Sequence, residues 1–396
     1  MPRSASDFDW DEVVRLLKLR YDWKIVATRL GTSVWTLKRW RDRVGFPDFD
    51  DMPEDELDVM MQTLTEFYPR IGVRTAASYF LSQGYLFTRE YVAASLRRLD
   101  PTGELRAARK RKRLKRRVYH TGGPHHSWHH DGNHKLKPVG RFYIHGCIDG
   151  YSRLPIFLVI ADNTAAQVVT ECFIDATRKH DTQPLLVNGD HGTENVGVRR
   201  VQLAKRGDGS YRQTTSTSNQ RIERFWRDVN EKVTSRWGEL FVDWQQTRGY
   251  DESNLLHAWL LTYLFLPLLQ QCLDEFVDAW SHHSVRTENY KSPLRLIDEA
   301  LDKIPPPVFF DDEFDSVAEE AARYVNNADE SAVADKRFHV QTTACPLSEQ
   351  ALQYFTQAVA PFSMDDAQRG DEYLFQQFSD ALDTLGHMYD NDPDRL

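Results

Sequence analysis

The chain has 396 residues, 41% of them hydrophobic and 12% aromatic, with a formal net charge of −9. This composition excludes a disordered or collagen-like chain, and the length allows roughly two to four domains whose cores need no covalent staple. Four scattered cysteines, Cys147, Cys172, Cys272 and Cys345, form no C-x-x-C pair. That excludes a disulfide framework and a zinc knuckle, and predicts a reducing compartment.

The charge is segregated. From Asp311 onward there are nineteen acidic and five basic residues, a balance of −14 that leaves +5 for the rest of the chain. A mildly basic body with an acidic tail is expected. The polar opening, residues 1–10, predicts no signal peptide.

Residues 11–20 place Val13, Val14, Leu16, Leu17 and Leu19 on a helical face. A second short helix over 22–30 stops at Gly31, and Ser33 is placed to cap a third over 34–43. Three short helices with a glycine turn before the third predict a helix-turn-helix over residues 6–47. Its third helix carries Lys38, Arg39, Arg41 and Arg43 beside Trp35 and Trp40, suited to phosphates and a major groove. A small protein-interaction module is the other reading. The plan repeats over 54–100, with helices at 54–67 and 73–82, a turn at Gly84, and a third helix capped by Thr88 and stopped at Asp100-Pro101.

Residues 101–124 form a basic linker. The run RAARKRKRLKRR, residues 106–117, holds nine cations in twelve positions, among them Arg109, Lys110, Arg111, Lys112 and Arg113. Such a run repels itself without anionic partners, which predicts DNA-phosphate contact or nuclear import, and hence the nucleus.

From Trp128 the pattern turns mixed α/β. Residues 142–147 and 154–160 are strand-like around the turn Asp149-Gly150-Tyr151-Ser152. Thr164 is placed to cap a helix running to about residue 179. Residues 184–187 form a short apolar strand ending at Asn188-Gly189-Asp190, and 211–217 a weak one. Asn219 is placed to cap a long helix to about residue 237. The apolar run 255–273 approaches membrane-spanning length but contains His257, Thr262, Pro267 and two glutamines. It reads as a buried helix of a soluble protein, with no membrane partner.

Phosphodiester chemistry on DNA needs an activated water or 3′-hydroxyl and stabilisation of the departing oxygen. Two divalent ions about 4 Å apart do both, and carboxylates hold them. Asp131 lies in WHHDGN ahead of the first hairpin, and Asp190 follows the strand Leu185-Leu186-Val187. Glu223 lies in the first turns of the helix opened by Asn219, beside a packing face of Ile222, Phe225, Trp226 and Val229 that Val233 extends.

This ordered set, with Asp190 in GDHGTEN and Glu223 in SNQRIERFWRDV, resembles the DDE catalytic core of retroviral-type integrases and transposases. It is most similar to the integrase-core proteins of eukaryotic mobile elements. The resemblance spans most of residues 10–300. It implies an RNase H-like α/β core with a helical extension at 125–300, preceded by all-α helix-turn-helix units; composition and short helical patterns add an acidic, partly helical tail at 301–396. It further implies a polynucleotidyl transferase for DNA integration and recombination, which cleaves element ends and joins them to a target duplex as a homo-oligomer. Asp131, Asp190 and Glu223 would hold two Mg²⁺ or Mn²⁺ ions. The sequence departs from the family in having His191 beside the second aspartate, where asparagine is frequent, and in lacking the paired-His, paired-Cys zinc domain of retroviral integrases.

Other readings compete at single residues. His125, His126, His129, His130 and His134 suggest zinc, but no second cluster completes a site, and DNA contact or packing beside Asp131 is preferred. His191, with His130, is an auxiliary candidate. Glu194 is the substitute for Glu223, and Asp149 reads as a turn cap. Arg221, Arg224, Arg227, Lys232 and Arg236 crowd the Glu223 helix, either as helix-surface ion pairs or as DNA-backbone contacts. Two rival functions remain: a catalytically silent DNA-binding protein derived from a mobile element, and a structure-selective nuclease on the same fold. The tail is read as a shield over the basic surface or a partner-recruiting segment.

Overall fold

The computed structural model describes residues 9–44, 52–100, 121–190, 192–213, 219–307 and 344–392. They fall into two compact units, Met1–Arg117 with Glu275–Lys303, and Val118–Asp274 with Ile304–Leu396.

In the first unit, α1 (Trp10–Lys18), α2 (Trp23–Arg29) and α3 (Val34–Val44) close around Val13, Leu16, Val26, Leu37 and Trp40. Asp9 and Asp22 cap α1 and α2, accepting from the amides of Glu12 (3.0 Å) and Ile25 (2.9 Å). Ser33 does the same for α3, accepting from Thr36 N at 3.1 Å. A second trio follows in α4 (Glu54–Phe67), α5 (Val73–Ser82) and α6 (Arg89–Leu99). Gly84 turns the chain at φ +97°, a conformation that penalises any residue with a Cβ. Thr88 caps α6 through Tyr91 N at 3.2 Å, and Arg98 ties α6 to α4 by bonds of 2.6 and 2.8 Å to Asp58.

The helix Pro293–Leu301 also belongs here. Asp298 accepts from Arg15 (2.9 Å), Tyr21 Oη (2.6 Å) and Arg29 (2.7 Å), and Arg295 donates to Arg20 O at 2.9 Å. These charge-assisted bonds hold this helix to α1 and α2, and the segment 275–303 lies in the same compact unit as they do.

The second unit is built on a five-stranded sheet of β1 (Ser127–Asn133), β2 (Tyr143–Asp149), β3 (Pro155–Ala161), β4 (Leu186–Gly189) and β5 (Tyr211–Gln213). Its spatial order is β3-β2-β1-β4-β5. β2 runs antiparallel to both β1 and β3, while β4 is parallel to both β1 and β5. The central strand β1 carries SWHHDGN, which is polar and shows no apolar alternation. Asp149 builds the β2–β3 turn: one oxygen accepts from Ser152 N and Oγ, both at 2.7 Å, and the other from His125 N at 2.9 Å.

One face of the sheet is covered by α7 (Ala166–Lys179) and α8 (Val196–Arg206), around a core of Trp128, Cys147, Val169, Phe173, Val187 and Val201. Thr164 does not cap α7; Asn163 Oδ1 accepts from Ala165 N at 2.9 Å just before it. The predicted single helix from 220 to 237 is instead α9 (Gln220–Val229), a π-helical turn at Asn230–Thr234, and α10 (Ser235–Thr247). The wider turn coincides with Asn230 accepting from Asn133 Nδ2 (2.8 Å) at the end of β1 and from Thr234 Oγ1 (3.0 Å).

α11 (Leu255–Ser281) is long and apolar enough to cross a membrane by length and composition alone. Leu260, Leu264, Phe265, Leu268 and Leu269 are nonetheless buried within the second unit. The final helices α12 (Glu349–Ala358), α13 (Met364–Gln368) and α14 (Asp371–Asn391) contribute to that burial. Ring centroids lie 5.5 Å apart for Trp259–Phe355, 4.8 Å for Phe265–Phe362 and 5.3 Å for Trp244–Phe378. Tyr263 Oη donates to Val359 O at 2.7 Å. The described part of the acidic tail, from residue 344, is therefore a folded cap on α10 and α11. Residues 308–343 and 393–396 lie outside the described residues.

Candidate active site

The parallel pairing of β1 with β4 sets two of the three candidate carboxylates side by side. His129 pairs with Asn188, so two residues further along lie Asp131 and Asp190. Side chains alternate along a strand. Trp128 and His130 therefore face the apolar layer, and His129 and Asp131 face the opposite side, against α9.

Asp131 is largely buried, and its pKa is pushed up to about 7. Burial is the main cause, and the negative charges of Asp190 and Glu223 add to it. A hydrogen bond from Trp226 and one from the Gly132 backbone pull the other way. Trp226 Nε1 donates to Asp131 Oδ2 at 2.9 Å. Asp190 Oδ1 accepts from Gly192 N at 2.9 Å and from Asn195 Nδ2, which fixes it at the start of the next loop. Glu223 is exposed in the first turn of α9.

Asn219 does not close that turn by a side-chain cap. Its Oδ1 meets His129 Nδ1 at 2.6 Å, and its Nδ2 donates to His130 O at 3.1 Å, so it fastens the head of α9 to β1. Glu194 lies on the single 3-10 turn Thr193–Asn195 beside Asp190, and burial raises its pKa. It shares a loop with Asp190, whereas Glu223 approaches from a separate helix.

Three oxygen-donor side chains of this kind suit a hard divalent cation. Burial first, and the like charges of Asp190 and Glu223 after it, disfavour the ionised form of Asp131, and a bound cation would offset both. Among the described residues, however, no three acidic, histidine or cysteine side chains are gathered closely enough to ligate one ion. The fit is one of donor chemistry and placement.

The remaining candidates divide. His130 is buried on the apolar side of β1, where Nε2 meets Tyr211 Oη at 3.1 Å, and burial lowers its pKa to about 4. The strand's alternation turns it away from Asp131, while the charge of Asp190 still reaches it. His125 accepts from Trp128 Nε1 at 3.2 Å, and His129 is held by Asn219. His191 and the run Arg109, Lys110, Arg111, Lys112 and Arg113 lie outside the described residues.

On α9, Arg227 is exposed and Arg221 partly so, while Arg224 pairs with the buried Asp228 at 3.3 Å. Lys232 is buried against the same Asp228 (3.4 Å) and presents nothing to DNA. Arg236 and Arg248, on and just after α10, are taken by Asp371 and Glu372 of α14. In the first unit Lys38, Arg39 and Arg43 are exposed. Arg39 lies over the ring of Trp35, itself 68% exposed. Arg41 is drawn in against Trp23 and Asp42, which leaves it the least available of the four.

Sequence reasoning missed Asn219 and Trp226 as parts of this site, reading one as a cap and the other as packing. A signal was present. The two are seven residues apart on one helical stripe, and a buried indole N–H requires an acceptor.

Residues 118–304 match the integrase core domain family. The match supports a DDE-type integrase or transposase core over this segment, and the mixed five-stranded sheet agrees with the RNase H-like α/β fold that the family implies. No curated protein shows significant similarity to the chain.

Proposed function

We propose that this protein is a DDE integrase or transposase that cleaves DNA ends and transfers them to a target duplex. What supports this reading is the match to the integrase core domain family, together with the placement of Asp131 on β1, Asp190 just past β4 and Glu223 on α9, three separate elements of one unit.

In this reading the three carboxylates hold Mg²⁺ or Mn²⁺. The ions would supply an activated oxygen nucleophile and stabilise the oxygen that departs from phosphorus. The chain's own residues define the place and the approach. Asp131 lies within β1 and Asp190 just past the end of the neighbouring β4, so the scissile phosphate is met towards the C-terminal ends of these two parallel strands. Glu223 and the neighbouring Arg221 and Arg227 face it from α9, and the arginines contact phosphate without reading sequence. The first helical trio is the DNA-end reader, with Lys38, Arg39 and Arg43 on its third helix; the second trio is a further helix-turn-helix. Pairing two DNA ends calls for more than one copy, and the basic run at 106–117 serves phosphate contact or entry to the nucleus.

The ungathered carboxylates and the exposure of Glu223 favour a second reading, a silent DNA-binding descendant of such an enzyme. A labelled-oligonucleotide assay in Mg²⁺ or Mn²⁺, comparing wild type with Asp190→Asn and Glu223→Gln, separates the readings. Joined products in wild type alone establish strand transfer. Cleavage without joining indicates a nuclease, and neither product on bound DNA indicates the silent protein.

A further inference from the structure

We propose that Trp226 is a positioning residue that aims the Asp131 carboxylate, with Gly146 as the seat for its ring. The proposal rests on the reading of Asp131 as a metal ligand and assigns the part that holds it.

Three observations converge. First, the buried Trp226 donates its indole N–H to Asp131 Oδ2 at 2.9 Å, so each satisfies a polar group the other would leave unpaired. A single N–H from a rigid ring restricts how the carboxylate can turn. Second, Gly146 is the residue of β2 paired directly with Asp131. A Cβ at 146 would lie 2.6 Å from Trp226 Cη2 and 3.1 Å from Cζ2. The indole therefore occupies the space above β2 that a side chain would fill, and reaches Asp131 only because residue 146 has none. Third, Asn219 grips β1 at His129 and His130 from the same helix. α9 is thus pinned to β1 on both sides of Glu223, at 219 and at 226, and the distance between Glu223 and Asp131 is set by those two attachments. Trp226 touches no reacting atom. It acts through Asp131, as hydrogen-bonding partners of metal-ligating side chains do.

The test is calorimetric titration of the full chain with Mn²⁺ alone, without DNA, for wild type, Asp131→Asn, Trp226→Phe and Gly146→Ala. Thermal melts verify that each variant is folded. Trp226→Phe keeps the ring and removes only the N–H; Gly146→Ala keeps the N–H and displaces the ring. Both are expected to weaken Mn²⁺ binding by about tenfold or more, the usual effect of losing such a partner, and Asp131→Asn to abolish it. If Trp226→Phe does not fold, Gly146→Ala carries the same reading. Wild-type Mn²⁺ affinity in the folded Trp226 and Gly146 variants, with binding lost in Asp131→Asn, would overturn the positioning role and leave the carboxylate reading standing. A wild type that binds no Mn²⁺ would overturn both.

Discussion

Neighbouring residues of β1 look to opposite faces of the sheet, and the two faces differ in what burial does. Trp128 stands edge-on to Phe173 (5.7 Å between centroids) and near His180 (6.3 Å), in a closed layer with Cys147, Val187 and Val198. There burial removes apolar area from water and stabilises the fold. Three residues along, Asp131 faces α9, and burial raises its pKa to about 7 while Asp190 and Glu223 add like charge. Burying a carboxylate among others is destabilising unless donors or a cation compensate. One face stabilises the domain, and the other holds a concentration of charge that the rest of the domain must offset.

The largest expected effect that sharpens this contrast is on chemistry. Asp190→Asn should lower strand transfer by at least about a hundredfold, since a metal's charge stabilisation is worth several kcal/mol and each 1.4 kcal/mol is about tenfold. Thermal melts of the same variant should stay near wild type. The opposite pattern is expected on the apolar face. Trp128→Ala should cost about 3–5 kcal/mol in denaturant unfolding, as for other buried aromatics, with activity falling only in proportion to the unfolded fraction.

A smaller effect concerns acid. His125, His145 and His180 lie in the apolar layer with pKa values lowered to about 4, chiefly by burial. Their ordinary value is 6.5, so between these limits the unfolded chain binds more protons than the folded one. Their contribution is complete well above pH 6.5 and declines as pH falls towards 4, by up to roughly 3 kcal/mol for a fully buried histidine. A stability curve that stays flat from pH 7 to pH 5 would contradict the closed character of this face. The smallest effect is expected away from both faces, where Asp371 of α14 pairs with Arg236 at the surface. Asp371→Asn should change stability by about 0.2–1 kcal/mol, diminishing with salt.

Much of this organisation is legible in the sequence. The helices at 54–67 and 73–82 follow from apolar spacing and from Gly84, and Asp131, Asp190 and Glu223 stand out because chemistry requires carboxylates from separate elements. β1 is only weakly legible from hydropathy: its two faces are both lined, one by Trp128 and His130 and the other by His129 and Asp131, so no apolar alternation survives. The clamp on Asp131 was hidden for a related reason. Gly146 and Trp226 are far apart in the chain and are explained only by the register that pairs residue 146 with residue 131. The C-terminal helices look like an acidic tail because their exposed residues dominate the composition. Phe355 and the helical stripe Leu374, Phe378, Ala381 and Leu385 are the buried minority.

The central claim, that the Asp131 face gathers a divalent ion, is tested most directly by iron(II)-directed backbone cleavage. The protein is loaded with Fe²⁺ in place of Mg²⁺, treated with ascorbate and peroxide, and the fragments are mapped by mass spectrometry. Cuts are expected near residues 131, 190 and 223 together, suppressed by excess Mg²⁺ and lost in Asp131→Asn. Cuts that avoid these three segments, or that persist unchanged in Asp131→Asn, would contradict it.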